Sequence, residues 1–378
     1  MAKLFEKTSI GALDLLNRSV RSATWSGVGD TRGYVTDRAT DFYGRLGGGG
    51  IGLIITGYQY VLPNGMQLPY MVGNYEDEQT EGLSKIAQAV HAKGGKVIPQ
   101  IVHAGARANP KLFPEGEEIW TPSAIPDPVT GQAQHEVTKQ EILKLVDAYA
   151  AASARALKAG FDGVQLHGAH GYGINQFLSP IWNQRSDAYG GNLNNRYRFL
   201  GEVVEAVRGA VGNDFPLMIK LTAHDFLERG LVPADAVEIA RRLADDGIDA
   251  IEVSGGSQAS PNNLGPARVH IKNEDDEAYF ADLAAQIKDA VKIPIITVGG
   301  IRSISTIDKV LAEGKADYVA MSRPFIREPD LINRWKSGDT RKSTCISCGG
   351  CFEAGIKGMG ISCKIEREKS DKEARKTD

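Results

Sequence analysis

Eight short, strand-like apolar runs recur along this chain, each followed by a longer stretch, and this alternation limits the possible folds more than any other feature. The runs are Ser19–Ser22, Ile51–Thr56, Lys96–Gln100, Gly163–Leu166, Pro216–Leu221, Ala250–Val253, Ile295–Val298 and Tyr318–Met321. Most are almost continuously apolar, as strands covered on both faces must be. The intervening segments include amphipathic stretches at Glu76–Lys93, Thr138–Ala159, Pro233–Asp245 and Tyr279–Val291. In the third, Val237, Ile239, Ala240, Leu243 and Ala244 form one stripe at helical spacing. Thr138 with Glu141 reads as a capping box at a helix start. Eight β-then-α units in succession predict the α/β class and a closed parallel (β/α)8 TIM barrel. A doubly wound sheet normally has fewer strands and a glycine-rich turn after its first, and no GxGxxG follows Ser19–Ser22. The 378 residues suit one such domain. The expected organisation is a barrel over residues 1–340, a cysteine-containing extension over 341–363, and a charged, disordered tail over 364–378.

A net charge of −3 gives no general affinity for nucleic acid or anionic membranes. No apolar run reaches the length of a membrane span, and the N-terminal residues lack the apolar stretch of a signal peptide. The cytoplasm is the expected location. All four cysteines fall between Cys345 and Cys363, whereas a disulfide framework would scatter them.

The long insertions, Tyr58–Tyr75, His103–Val137, His167–Asn195 and Ser254–Glu277, all follow strands. In a barrel they line the C-terminal face, where active sites lie. The fourth strand runs directly into His167-Gly168-Ala169-His170-Gly171-Tyr172. Imidazoles at such a place hydrogen-bond a carbonyl or nitro oxygen, and a phenol beside them delivers a proton. The competing reading is that the histidines only tie down a loop. A zinc or iron site would need a further ligand, and no carboxylate stands at a matching local spacing. Gly299 and Gly300 follow strand seven, and Ser322 and Arg323 follow strand eight. Loops after these two strands frequently bind phosphate, glycine admits close backbone approach, and arginine grips phosphate bidentately. Gly47–Gly50 precedes strand two and reads as a helix cap. His91, His135 and His270 read as ordinary helix or loop residues, and His103 as either loop packing or function. Cys345-x2-Cys348-x2-Cys351-x11-Cys363 has the count for a tetrahedral zinc or a [4Fe–4S] cluster, against a plain reading as reduced thiols in a loop.

The run from His167 through Pro180, continuing in Asn183-Gln-Arg185-Ser-Asp-Ala-Tyr-Gly-Gly191 and Asn195-Arg196, resembles the Old Yellow Enzyme family of NAD(P)H:flavin oxidoreductases. It is similar to the bacterial branch with the thermophilic-like ene-reductases and the barrel domain of 2,4-dienoyl-CoA reductases. The resemblance extends from about Leu4 to Arg334. It implies noncovalent FMN at the C-terminal end, held by Ser22, Ala23, Thr24, Gly57, Tyr58, Gln100, Lys220, Gly299, Gly300, Ser322 and Arg323. Trp25 stands where relatives often have Cys or Thr, and Gly27 where some have tyrosine, so both are expected to reshape the substrate pocket. The dienoyl-CoA reductase branch carries a similar Fe–S run where the four cysteines lie, with three residues between its second and third cysteines instead of two. The implied reaction takes electrons from NADH or NADPH and reduces an activated α,β-unsaturated C=C bond. Hydride comes from FMN N5, His167 and His170 hold the activating oxygen, and Tyr172 protonates the α-carbon. Two alternatives stay open: a flavin-dependent amine dehydrogenase or demethylase, whose aromatic cage Trp25, Tyr58, Tyr70 and Trp182 would supply, and a non-catalytic flavin-binding protein. The expected partners are a small-molecule substrate and further copies of this chain in a homo-oligomer.

Overall fold

A computed structural model describes residues 3–126, 131–132, 134–261 and 263–377. The parallel strands run in chain order Ser19–Arg21, Leu53–Ile55, Val97–Ile98 with Gln100–Val102, Val164–Gly168, Leu217–Thr222, Ala250–Ser254, Ile295–Val298 and Tyr318–Met321. Each pairs with the next, and the eighth pairs back onto the first, Val319 opposite Ser19. The third strand is in two pieces. Val97–Ile98 pairs with strand two and Gln100–Val102 with strand four, so the ring closes through it. Between them stands Pro99, which has no N–H to give the ladder, although its carbonyl still accepts from Gln165 N at 2.9 Å. All eight expected runs are therefore strands, and the (β/α)8 barrel is the observed architecture.

Helices follow the apolar stripes. Pro233–Asp245 buries Ala236, Ile239, Ala240 and Leu243 and starts at its proline. Lys139–Lys158 begins on the expected Thr138–Glu141 capping box, with both reciprocal bonds made. Asp37–Gly47 ends in the glycine run, with Gly48 at its C-cap. The wall between strands and helices forms two large apolar clusters, while the barrel's interior at the N-terminal end has its own. A hairpin of Thr8–Ile10 and Leu13–Leu15, absent from the sequence reading, plugs that end with Ile10, Leu13 and Leu15. The signal was weak: two three-residue strands around one positive-φ glycine, Gly11.

The C-terminal segment departs from expectation in one respect. The charged tail, expected to be disordered, is helical over Lys364–Thr377. Its Lys, Glu, Arg and Ala residues are strong helix formers even without an apolar face. Ion pairs from Arg327 to Glu366 at 2.8 Å and from Lys364 to Glu353 at 2.9 Å tie its first turn to the body. Asp378 lies outside the described residues. Among the described residues no helix is long and apolar enough to cross a membrane.

Candidate active site

A cavity of about 670 Å3 opens at the C-terminal end of the barrel. Of the residues singled out in the sequence, Ser22, Ala23, Thr24, Trp25, Tyr58, His170, Tyr172, Lys220, Gly300, Ser322, Arg323 and Cys351 line it. Gly27, Gly57, Gln100, His167, Gly299 and the other three cysteines are not in its wall.

Strand four aims the central residues. His167 is its fourth residue, paired in register with Lys220 of strand five. The chain then turns sharply, with His170 and Gly171 both at positive φ (65° and 76°). Three bonds hold this turn: His170 N to Thr222 Oγ1 (2.9 Å), Gly171 N to Asn175 Oδ1 (2.6 Å) and Gln176 Nε2 to Gly171 O (2.6 Å). The result brings His167 and His170 edge to face at 5.2 Å and His167 within 4.5 Å of the Tyr172 ring. Burial holds both imidazoles well below the usual histidine range, and the Lys220 ammonium adds to the effect. They are neutral, so each offers one N–H. His170 Nε2 lies 2.7 Å from Ser254 Oγ, while His167 Nδ1 is buried without a partner. Burial pushes the Tyr172 phenol up, so it keeps its proton. That hydroxyl donates to Gln67 Oε1 at 2.7 Å.

Beneath the cavity runs a polar chain that the sequence reading caught only at its ends. Gln100 Nε2 donates to Gln165 Oε1 (2.7 Å), and Gln165 Nε2 donates to Glu252 Oε2 (3.0 Å). Ser22 Oγ donates to Glu252 Oε1 (2.7 Å), and Lys220 Nζ reaches both Ser22 Oγ (2.8 Å) and Glu252 (3.0 Å). Glu252 sits opposite Lys220 in the strand register and is fully buried. A buried carboxylate there needs its cation and its donors. The missed signal was plain: a lone carboxylate inside an otherwise apolar strand.

At the other end, Gly299 and Gly300 both adopt positive φ, and a Cβ on either would meet the Tyr279 ring at 2.9 Å. Their glycine character is thus dictated by packing as well as by any ligand. Ser322 Oγ pairs with Thr24 Oγ1. Arg323 donates to Arg268 O (2.8 Å) and Ser347 O (3.4 Å), and Arg302 donates to Cys345 O (2.8 Å) while its Nη2 is buried without a partner. Two guanidiniums, two hydroxyls and a glycine pair are the donor set a phosphate monoester requires. With the unpartnered His167 nitrogen, the Lys220 ammonium and a cavity of cofactor size, the residues fit FMN.

The cysteine segment forms part of the same wall. Ser347, Gly349, Cys351 and Phe352 line the cavity, and the Phe352 ring meets Trp25 edge-on at 5.4 Å. Gly27 does not face the substrate space. A Cβ there would meet Trp25 at 3.0 Å and Gly355 Cα at 3.1 Å, so the missing side chain lets this segment pack down. The four cysteines are free thiols, three of them buried. Burial, reinforced by the other three thiols, pushes Cys351 up to about 12. Among the described residues no group of three or more His, Cys, Asp or Glu side chains is arranged to hold a metal ion. His103, left open by the sequence, packs a loop: Nδ1 accepts from Gly105 N (3.2 Å) and Nε2 lies 3.1 Å from Asn64 Oδ1.

The NADH:flavin oxidoreductase / NADH oxidase family matches residues 3–342. An NADH oxidase of Thermoanaerobacter brockii is 37% identical over 369 residues, 96% of this chain and 55% of that one. Among solved structures, a 2-naphthoyl-CoA reductase in complex with 2-naphthoyl-CoA superposes with a TM-score of 0.88 at 30% identity, covering 96% of this chain and 56% of that one. A histamine dehydrogenase from Rhizobium sp. 4-9 superposes at 0.80 and 27% identity, covering 95% and 51%. The chain spans about half the length of the curated relatives named first among its matches. On the match across its whole barrel, this chain belongs to the NADH:flavin oxidoreductase / NADH oxidase family.

Proposed function

We propose that this chain uses FMN and NAD(P)H to reduce an activated carbon–carbon double bond, with Tyr172 as the proton donor. The observation that carries the reading is the cluster of His170 and Tyr172 in the cavity wall with His167 packed against both, two neutral imidazoles and one protonated phenol. Bound FMN supplies the hydride chemistry. The protein supplies the rest. Lys220 beside the floor of the cavity offers positive charge to an electron-rich flavin edge. Neutral N–H donors from His167 and His170 polarise a carbonyl or nitro oxygen without themselves losing a proton. Tyr172 then protonates the carbon next to that activating group.

The aromatic cage that C–N cleavage would use gains no support from the side-chain positions. Trp182 faces the Arg107 guanidinium at 5.9 Å, and neither it nor Tyr70 is in the cavity wall. Two of the four rings thus stand outside it.

Tyr172→Phe tests the reading. It removes one hydroxyl and keeps the ring, so FMN content should be unchanged. Loss of a positioned acid costs roughly 10²–10⁴-fold in rate. Stopped-flow mixing should show that loss in reoxidation by 2-cyclohexenone and a far smaller change in reduction by NADPH. Equal slowing of both steps would remove Tyr172 from its role. Flavin bleaching by an N-methylated amine, with no reoxidation by the enone, would move the assignment to C–N oxidation.

A further inference from the structure

We propose that Tyr58 is a proton-relay phenol, which passes its proton to Tyr172 as Tyr172 gives its own to substrate, and that Gln67 positions the pair. The inference deepens the reading of Tyr172 as proton donor and rests on it. Tyr58 follows strand two and lines the cavity beside Tyr172, with ring centroids 5.6 Å apart. Its hydroxyl donates to Gln67 Oε1 at 2.9 Å, the same oxygen that takes the Tyr172 hydroxyl at 2.7 Å. The two phenol oxygens are 3.5 Å apart. A carbonyl oxygen has two lone pairs, so this one acceptor is filled by the two phenols.

That filling has a chemical consequence. A phenol has one proton, and at rest both protons of the pair are turned toward Gln67. When Tyr172 gives its proton to substrate, its oxygen becomes an anion 2.7 Å from a carbonyl oxygen, a repulsive contact in a buried site. Arg107 lowers the cost through space but never gives up a proton. The donor within reach is the Tyr58 O–H. Rotation about its C–O bond carries that proton from Gln67 to Tyr172. The O–H bond of Tyr58 breaks, a new O–H forms on Tyr172, and the charge moves to Tyr58. Tyr58 lines the open cavity, so it takes its proton back from water. No electrons change hands in this relay.

The pair is held for this purpose. Gln67 N and Leu68 N both donate to Met71 Sδ (3.3 and 3.4 Å), fixing the loop that carries Gln67. The turn before it is pinned to His103 through Asn64, and the His103 carbonyl takes Gly173 N at 2.9 Å from the loop after strand four. One buried histidine therefore sets the spacing between the loops that carry Gln67 and Tyr172.

The test uses the FMN-loaded protein, reduced anaerobically with dithionite and mixed with 2-cyclohexenone in mixtures of H2O and D2O. Rates are taken per bound FMN. In the native protein two protons in motion should bow the plot of rate against deuterium fraction. Tyr58→Phe should slow reoxidation by about tenfold, less than loss of the acid itself, and straighten the plot. Tyr58→Phe with Tyr172→Phe should be no slower than Tyr172→Phe alone, because Tyr58 acts only through Tyr172. Effects that multiply in the double variant, or a plot left bowed in Tyr58→Phe, overturn the relay and leave the role of Tyr172 standing. A native protein that 2-cyclohexenone does not reoxidise, or a Tyr172→Phe variant as fast as native, overturns the parent reading instead.

Discussion

His103 has no room for a second proton. Its Nδ1 already accepts a backbone N–H, so Nε2 carries the ring proton toward Asn64, and burial holds its pKa down at about 3 against an ordinary 6.5. A histidine whose folded pKa is depressed leaves the unfolded chain binding more protons below pH 6.5. Its contribution is therefore complete above pH 6.5 and is lost as pH falls from there toward 3, on the order of 5 kcal/mol across the window. Urea unfolding at pH 7.5, 5.5 and 4.5 should show this fall in the native protein, and His103→Gln should flatten it by about one proton's worth of slope. An unchanged slope would place the protonation elsewhere. The other residues were legible in the sequence to different degrees. His167, His170 and Tyr172 were readable because they lie close together at the end of one strand. Glu252 was readable in principle, as a charge in an apolar run. Gln67 was not, because a glutamine in a loop has no pattern, and only the fold brings its carbonyl to two phenols that lie far apart in the chain.

The cysteine segment was seen in the sequence as an appendage, yet it is a wall. Its carbonyls at Cys345 and Ser347 accept from Arg302 and Arg323, the same guanidiniums that fit a phosphate, and its Phe352 closes one side of the cavity. Spacing within a motif says nothing about which surface the motif packs on, so this placement was illegible. Two helix boundaries, in contrast, followed directly from capping and stripes, at Pro233–Asp245 and Thr138, while the stretches expected over Glu76–Lys93 and Tyr279–Val291 are the shorter helices Thr80–His91 and Ala281–Lys288. The count of four thiols argues for a bound metal, whereas among the described residues no three such side chains are arranged to hold one, so metal content after anaerobic purification separates the two readings. Elemental analysis decides: iron with acid-labile sulfide marks a cluster, zinc alone a structural clip. Four thiols that titrate freely with neither metal present would make the segment a plain loop.

Taken whole, the barrel separates stability from chemistry along its axis. The hairpin plug of Ile10, Leu13 and Leu15 fills the N-terminal end, and the cavity occupies the C-terminal one. Leu15→Ala should cost about 2–5 kcal/mol in chemical unfolding, since it empties part of that plug. FMN affinity, read from flavin fluorescence, should stay the same, and a parallel loss of both would deny the separation. Ring closure has a further consequence in time. The first strand completes its pairing only with the eighth, and the cavity only with Phe352. A ribosome releases the intervening part of the chain, about 300 residues, in about 15–60 s. For that interval Ser19–Arg21 keeps one edge without its final neighbour, and the flavin pocket lacks a side. Cofactor loading is thus a late event in the birth of the molecule, and a nascent chain stalled before its last strand would emerge colourless and open-edged.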